Sequence, residues 1–562
     1  MTWTLSLIAL IAAGPVRAQS SRDSSVSRVL AYLEAAAEEH RREEDTPGIV
    51  IAAVTRDSLL GIRAVGVTDL GTRTPMPADG RFLAGSISKA FTAVALLQLQ
   101  EEGLVDVRRP LANYLPWFRM RSPGGPITVE QLLTHTAGLP RDRGDLPSSP
   151  YTALALRDRG SGVPPGERFA YSNLGYQLLS LMIEEVEGRP FTEIIQSRVL
   201  TPLGLRATDP AVTQGARLRA VTGYQYLWDD RPPTPGEPLV PVPWNEYTAG
   251  DANLVTTAPD LAVFLRMLLA QGRGPSGRLL QPVSFGRMVQ RTVPAPELGP
   301  GMFYGYGVVL GSLEGDPILW HSGGMLGYRS MIAGDLDEGL GVVVLMNGPG
   351  NPRRLAEYAL RVLIAARRNR PLPPVPVTDP PERIRDADSF AGSFADSAGE
   401  QITLEAVGGG LDLLAGGARI PLLAAGPAKF VARDSIWGRF PLRVVREEGH
   451  ATEVLHGGRW FVSDRYLGPR EFPSPAAWSR LVGHYRAQLS YYSNYRVVVR
   501  KGELLLISPE GIEEPLVPRG GTDFAVGRGE HPVEQIHFAD VVSGRALRMN
   551  LSGTDYYRTT TP

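Results

Sequence analysis

Residues 82–103 read FLAGSISKAFTAVALLQLQEEG, and the rest of the chain is best understood outward from them. The spacing predicts a helix from about Ser86 to Glu102, closed by Gly103. Its apolar residues Ala90, Phe91, Val94, Ala95, Leu96, Leu97 and Leu99 surround most of the circumference. A helix apolar nearly all round belongs inside a large core. Ser86 and Lys89 stand three apart in its first turn and so share a face. Burial disfavours the charged form of a lysine, and an amine able to take a proton beside a hydroxyl activates a serine nucleophile. The helix N-terminus also aims free backbone N–H groups at any oxyanion formed there. The competing reading is a chance serine one turn before a lysine.

Composition sharpens that choice. Of 58 basic residues only Lys89, Lys429 and Lys501 are lysines, and the other 55 are arginines. Arginine stays protonated and could not replace Lys89 as a proton acceptor. The 562 residues carry a net charge of −1 and no cysteine. Near-neutrality implies no broad attraction for nucleic acid or anionic membrane, and the absence of cysteine excludes disulfides, thiolate catalysis and zinc-thiolate sites. The length predicts three to four domains.

The divisions follow from composition. Leu5 to Ala13 is an apolar run, and Val16-Arg17-Ala18 offers small residues for cleavage, so residues 1–18 read as a signal peptide and the protein as periplasmic or secreted. Nine residues, eight of them apolar, are too few to span a bilayer, which needs about twenty, and no later segment reads as a membrane span. Residues 19–370 alternate long helical patterns with strand-like runs; Ile49 to Val54 and Leu59 to Val67 flank a hairpin turn. Residues 371–381, PLPPVPVTDPP, form a proline-rich linker. Beyond it, residues 382–471 and 476–562 lose helical periodicity and resemble each other at an offset near ninety, with Phe390-Ala391-Gly392 matching Leu481-Val482-Gly483. Alternation at Ile402, Leu404 and Ala406, and at Leu547, Met549 and Leu551, argues antiparallel strands. Two small meanders or barrels are expected, with one sandwich made from both halves as the alternative.

Two further motifs bear chemistry. Tyr171-Ser172-Asn173 precedes a helix from about Leu174 to Glu187; spacing of two in an extended segment points Tyr171 and Asn173 the same way. A phenol near an ammonium can shuttle a proton, and an amide supplies donor and acceptor. The plainer reading is a tyrosine under a loop with Asn173 as helix N-cap. In Trp320-His321-Ser322-Gly323-Gly324 the glycines permit close approach of a ligand to a strand edge. The plainer reading of His321 is a hydrogen-bonded strand-end histidine. His135, in Leu133-Thr134-His135-Thr136, is expected to brace a loop.

Ser86-x-x-Lys89, Tyr171-x-Asn173 and His321-x-Gly323, in that order, resemble the penicillin-recognising serine hydrolases: class C β-lactamases, D-Ala-D-Ala carboxypeptidases, D-aminopeptidases and related esterases. Ile127 to Thr136 and Tyr304-Gly305-Tyr306-Gly307 are similar to that family too, and the resemblance covers about residues 26–370. It implies an α+β fold: a five-stranded antiparallel sheet with helices and a helical subdomain, followed by two small antiparallel β-barrels like those of D-aminopeptidases. It further implies Ser86 as the acylated nucleophile, Lys89 and Tyr171 as a coupled base and acid, and Asn173, His321, Gly323 and Gly324 as substrate-binding groups. The Ser86 and Gly324 N–H groups would form the oxyanion hole. Which of Lys89 and Tyr171 takes the serine proton stays open. Many β-lactamases carry lysine where this chain has His321, which lowers the expectation of β-lactam hydrolysis. The expected activity is cleavage of an amide or ester, such as a D-amino-acid peptide, through an acyl-enzyme. The alternatives are a short-chain esterase and a non-catalytic peptide or cell-wall binder. Acyl transfer needs no cofactor or metal, and the partner is a small-molecule or peptide substrate; oligomeric state is left open.

Overall fold

A computed structural model of the chain describes residues 15–141, 149–157, 163–489, 493–529 and 532–559, with side chains from residue 25 onward. Residues 1–14 of the expected signal peptide lie outside them, and Pro15 to Ala18 open a helix that runs Pro15–Glu43.

The Gly48–Thr55 strand is buried along nearly its whole length, because both faces of its sheet are covered. Val50, Ala52 and Val54 join a core with the Ser88–Glu101 and Ala258–Leu269 helices, while Ile49, Ile51 and Ala53 join another with the Pro15–Glu43 and Pro352–Arg367 helices. Period-two alternation thus serves two apolar layers rather than one apolar and one wet face. Gly334 and Gly341 let the Ala258–Leu269 helix lie close: a Cβ at Gly341 would sit 2.7 Å from Leu265.

The sheet is antiparallel and longer than the five strands expected. Five long strands stand in the order Leu59–Gly66, Gly48–Thr55, Leu340–Met346, Tyr328–Asp335 and Asp316–Met325. Val309–Leu313, Phe303–Tyr304 and Val293–Pro294 extend it to eight. Ser88–Glu101 is the buried helix the sequence predicts, with eleven of its fourteen residues buried. Phe91 stacks on Phe264 at 3.7 Å between ring centroids. Among the described residues no helix is long and apolar enough to cross a membrane.

Residues 371–380 carry no regular structure, yet Leu372 and Val375 pack on the core and the Tyr358 hydroxyl donates to Pro373 O. Beyond them stand two closed eight-stranded barrels, Gly392–Ala395 to Arg459–Val462 and Gly483–Arg486 to Thr554–Arg558, each with its own core. The single-sandwich alternative is therefore wrong. The loop between Tyr224–Tyr226 and Leu239–Pro241 grips both barrels: Arg486 pairs with Asp229 at 2.6 Å, and Arg433 donates to Pro235 O. Two of the three lysines serve the barrels. Lys501 pairs with Glu453 at 2.7 Å among the rings of Trp460, Tyr466 and Phe472, and Lys429 donates to Glu510 O.

Candidate active site

Gly85–Ile87 forms a single 3₁₀ turn leading into the Ser88–Glu101 helix, which places Ser86 one turn before Lys89. Lys89 is fully buried, and its Nζ donates to three acceptors: Ser86 Oγ at 2.9 Å, Asn173 Oδ1 at 2.8 Å and Asp251 O at 3.1 Å. Three acceptors match the three N–H groups of an ammonium. The same set suits a neutral amine, which would give its two N–H groups to Asn173 and Asp251 and accept the serine proton.

The Asp251 carbonyl is aimed by the segment around it. Thr92 Oγ1 donates to Gly250 O at 2.6 Å, Leu254 N to Ser88 Oγ at 3.2 Å, and Ala84 N to Leu254 O at 2.9 Å. The Asp251 carboxylate takes the Tyr247 hydroxyl at 2.7 Å, and Tyr247 in turn accepts from Gln177. Sequence reasoning missed Asp251, since a backbone acceptor leaves no residue-type signal.

Tyr171 and Asn173 do reach the same place. The Tyr171 ring centroid lies 5.0 Å from Lys89 Nζ, and Asn173 begins the Asn173–Glu187 helix. Ser172, not Asn173, is the N-cap: its hydroxyl oxygen accepts from Gly175 N, leaving the Asn173 amide for Lys89. His135 braces this segment as expected. Its carbonyl accepts from Ala170 N at 2.8 Å and its Nδ1 from Ser172 N at 3.1 Å, on either side of Tyr171. Its ring lies 4.3 Å from the Tyr171 ring, and burial holds it well below the ordinary histidine pKa, hence neutral. Arg141 closes the far side: its guanidinium sits 5.6 Å from the Tyr171 ring, and its carbonyl accepts from Asn173 N.

His321 is held on both sides by protein. It is 2% exposed, with Nε2 accepting from the Tyr304 hydroxyl at 2.9 Å and Nδ1 donating to Ser322 O at 2.7 Å. Both nitrogens are hydrogen-bonded to protein, so the ring braces the strands beneath the site. Burial, with Lys89 nearby, pushes its pKa down to about 3. The glycines beside it behave differently. A Cβ at Gly323 would lie 1.9 Å from Ala84 O, and one at Gly85 (φ +55) 2.6 Å from Gly324 N. Only glycine lets the strand edge lie against the turn that carries Ser86, and this contact brings Gly324 beside that turn.

The beta-lactamase family model matches residues 33–367. The chain belongs to the beta-lactamase family. Among its relatives, penicillin-binding protein 4 of Amycolatopsis lactamdurans is 29% identical over 323 residues, covering 55% of this chain and 82% of that protein. An octameric penicillin-binding protein homologue from Pyrococcus abyssi superposes with a TM-score of 0.56 at 24% identity, over 78% of this chain and all of that one. The D-amino acid amidase of Ochrobactrum anthropi gives 0.50 at 21% identity, over 61% of this chain and 99% of the amidase. At these identities the two structures speak for the fold alone. This beta-lactamase-family chain is a hydrolase whose substrate the likeness leaves open.

Proposed function

We propose that the protein is an exported serine hydrolase that cleaves an amide or ester through an acyl-enzyme on Ser86. The observation that carries this reading is the 2.9 Å contact between Lys89 Nζ and Ser86 Oγ inside a full set of acceptors. In the reaction, Ser86 Oγ attacks the substrate carbonyl carbon while its proton passes to the Lys89–Tyr171 pair. The oxyanion is held by backbone N–H groups of Ser86 and Gly324. The C–N or C–O bond then breaks, the leaving group takes the proton back from the pair, and water repeats the sequence to free the acid. His321, neutral and occupied on both nitrogens, brings no positive charge for a penicillin carboxylate. That weighs against β-lactams and toward D-amino-acid peptides, amides and simple esters, the substrates to try first. Export rests on the Leu5 to Ala13 run and on Val16-Arg17-Ala18, and is tested by the N-terminus of protein recovered outside the cytoplasm.

The deciding experiment is intact-mass analysis of the protein and of Ser86→Ala after exposure to a fluorophosphonate and to a penicillin. A phosphonate adduct present only with Ser86, and no penicillin adduct, is the expected result. No adduct from either probe on folded protein overturns the reading and leaves a binding scaffold.

A further inference from the structure

The second barrel opens toward the catalytic domain, and its open end is hollow. A cavity of about 420 Å³, the size of a small-ligand pocket, has Tyr171, Ala170 and Leu139 on one side and the barrel's end on the other. Its barrel wall includes Leu506, Val526 and Tyr556, which also belong to the barrel core, with Tyr495 and Leu551 packed against that core. The apolar interior of the barrel is thus continuous with a space whose opposite wall is the tyrosine beside Lys89. Six strands of the barrel contribute to this wall or its rim, so the hollow is the barrel's mouth rather than a surface dimple.

The rim is charged but internally answered. Glu297 faces Arg168 and Arg141, and Glu514 faces Arg141 and Glu534. The Arg141 backbone N–H donates to Glu534 at 2.7 Å, tying the barrel to the segment that holds Tyr171 and Asn173. With two arginines among three carboxylates the rim selects no strong charge, which leaves shape and apolar area to discriminate. We propose that the mouth of the second barrel is the specificity pocket of the enzyme, receiving an apolar group carried beside the scissile bond. This rests on the serine-hydrolase reading for its catalytic consequence, but the pocket itself does not.

Two measurements separate those claims. In a Ser86→Ala background, N-phenyl-1-naphthylamine is expected to bind with a fluorescence rise, and Leu551→Trp, which fills the mouth from a half-buried position, is expected to weaken that binding at least about tenfold. Binding that Leu551→Trp leaves unchanged, or no binding, overturns the pocket whatever Ser86 does. With Ser86 intact, two ester series are compared, one lengthening the acyl chain and one the alcohol. One of the two should gain about fourfold in kcat/KM per added methylene, from the transfer energy of a buried CH₂, and Leu551→Trp should abolish the gain, lowering kcat/KM for the longest esters far more than for the shortest. Flat series, or a gain that survives the substitution, overturn the proposal; an equal loss on every ester marks a merely structural change and also counts against it. If Leu551→Trp does not fold, Val526→Phe makes the same comparisons. A protein that binds the dye in the mouth yet takes no phosphonate would sink the serine-hydrolase reading and spare the pocket.

Discussion

Lys89 owes its position to acceptors that arginine could not use in the same way. Its three partners converge on one nitrogen, whereas a guanidinium spreads its donors over a plane and stays protonated. Lys89→Arg therefore keeps the charge and loses the chemistry: kcat/KM should fall about 10²–10⁴-fold, the usual worth of positioned proton transfer, with phosphonate labelling of Ser86 slowed in parallel. Unchanged labelling rates would remove Lys89 from the proton path. His321 calls for a different test, because both its nitrogens are held by protein. Tyr304→Phe strips the donor from Nε2 and leaves a buried acceptor unpaired, a cost of about 1–3 kcal/mol. Urea unfolding should show that loss, while kcat falls far less than in Lys89→Arg. A collapse of kcat at unchanged stability would return His321 to the substrate.

The nucleophile's turn and the strand edge are two elements that meet only through glycine. Gly323→Ala would drive a Cβ into Ala84 O and displace the turn bearing Ser86, so activity should fall at least about a hundredfold with the sheet retained, as read by ester turnover beside circular dichroism. Full activity would mean that the contact gives way at no cost. The residues that make this junction were legible in the sequence, because serine, lysine and glycine are restricted choices with a chemical or steric reason. The Ser88–Glu101 helix was legible because its apolar positions leave no wet face. The Phe303–Tyr304 and Val293–Pro294 strands were not, since two residues show no period. The two barrels were expected, but alternation at Ile402 and Leu404 says only which side is buried, and closure itself depends on the pairing of Ala395 with Val462, far apart in sequence. The strut role of His321 is long-range in the same sense, because Tyr304 reaches it across paired strands that local pattern cannot align.

Taken as a whole molecule, the chain distributes its buried histidines unevenly. The catalytic unit holds His40, His135 and His321, while the barrels hold one each, the buried His456 and the half-buried His484. Burial comes first among the causes that lower all five: His40, His456 and His484 to about 4, His321 to about 3, and His135 well below its ordinary value. A base whose folded pKa lies below its unfolded value binds fewer protons in the native state, so stability is fully present above the unfolded pKa of 6.5 and falls as pH drops below it. For His321, fully buried, the loss between its unfolded value of 6.5 and about pH 4.5 is about 3 kcal/mol, at 1.36 kcal/mol per unit. His135 adds to it in the same unit and the same direction. Acidification should therefore weaken the catalytic unit more than either barrel. Calorimetry between about pH 7.5 and 4.5 is expected to show one transition moving down steeply, with loss of ester turnover tracking it, and the barrel transitions moving less. Asn or Gln at position 321 should flatten that steep dependence at some cost in stability at neutral pH. If all transitions shifted together, the units would unfold as one body through the Asp229 and Glu534 contacts, and the uneven placement of the histidines would have no thermal consequence.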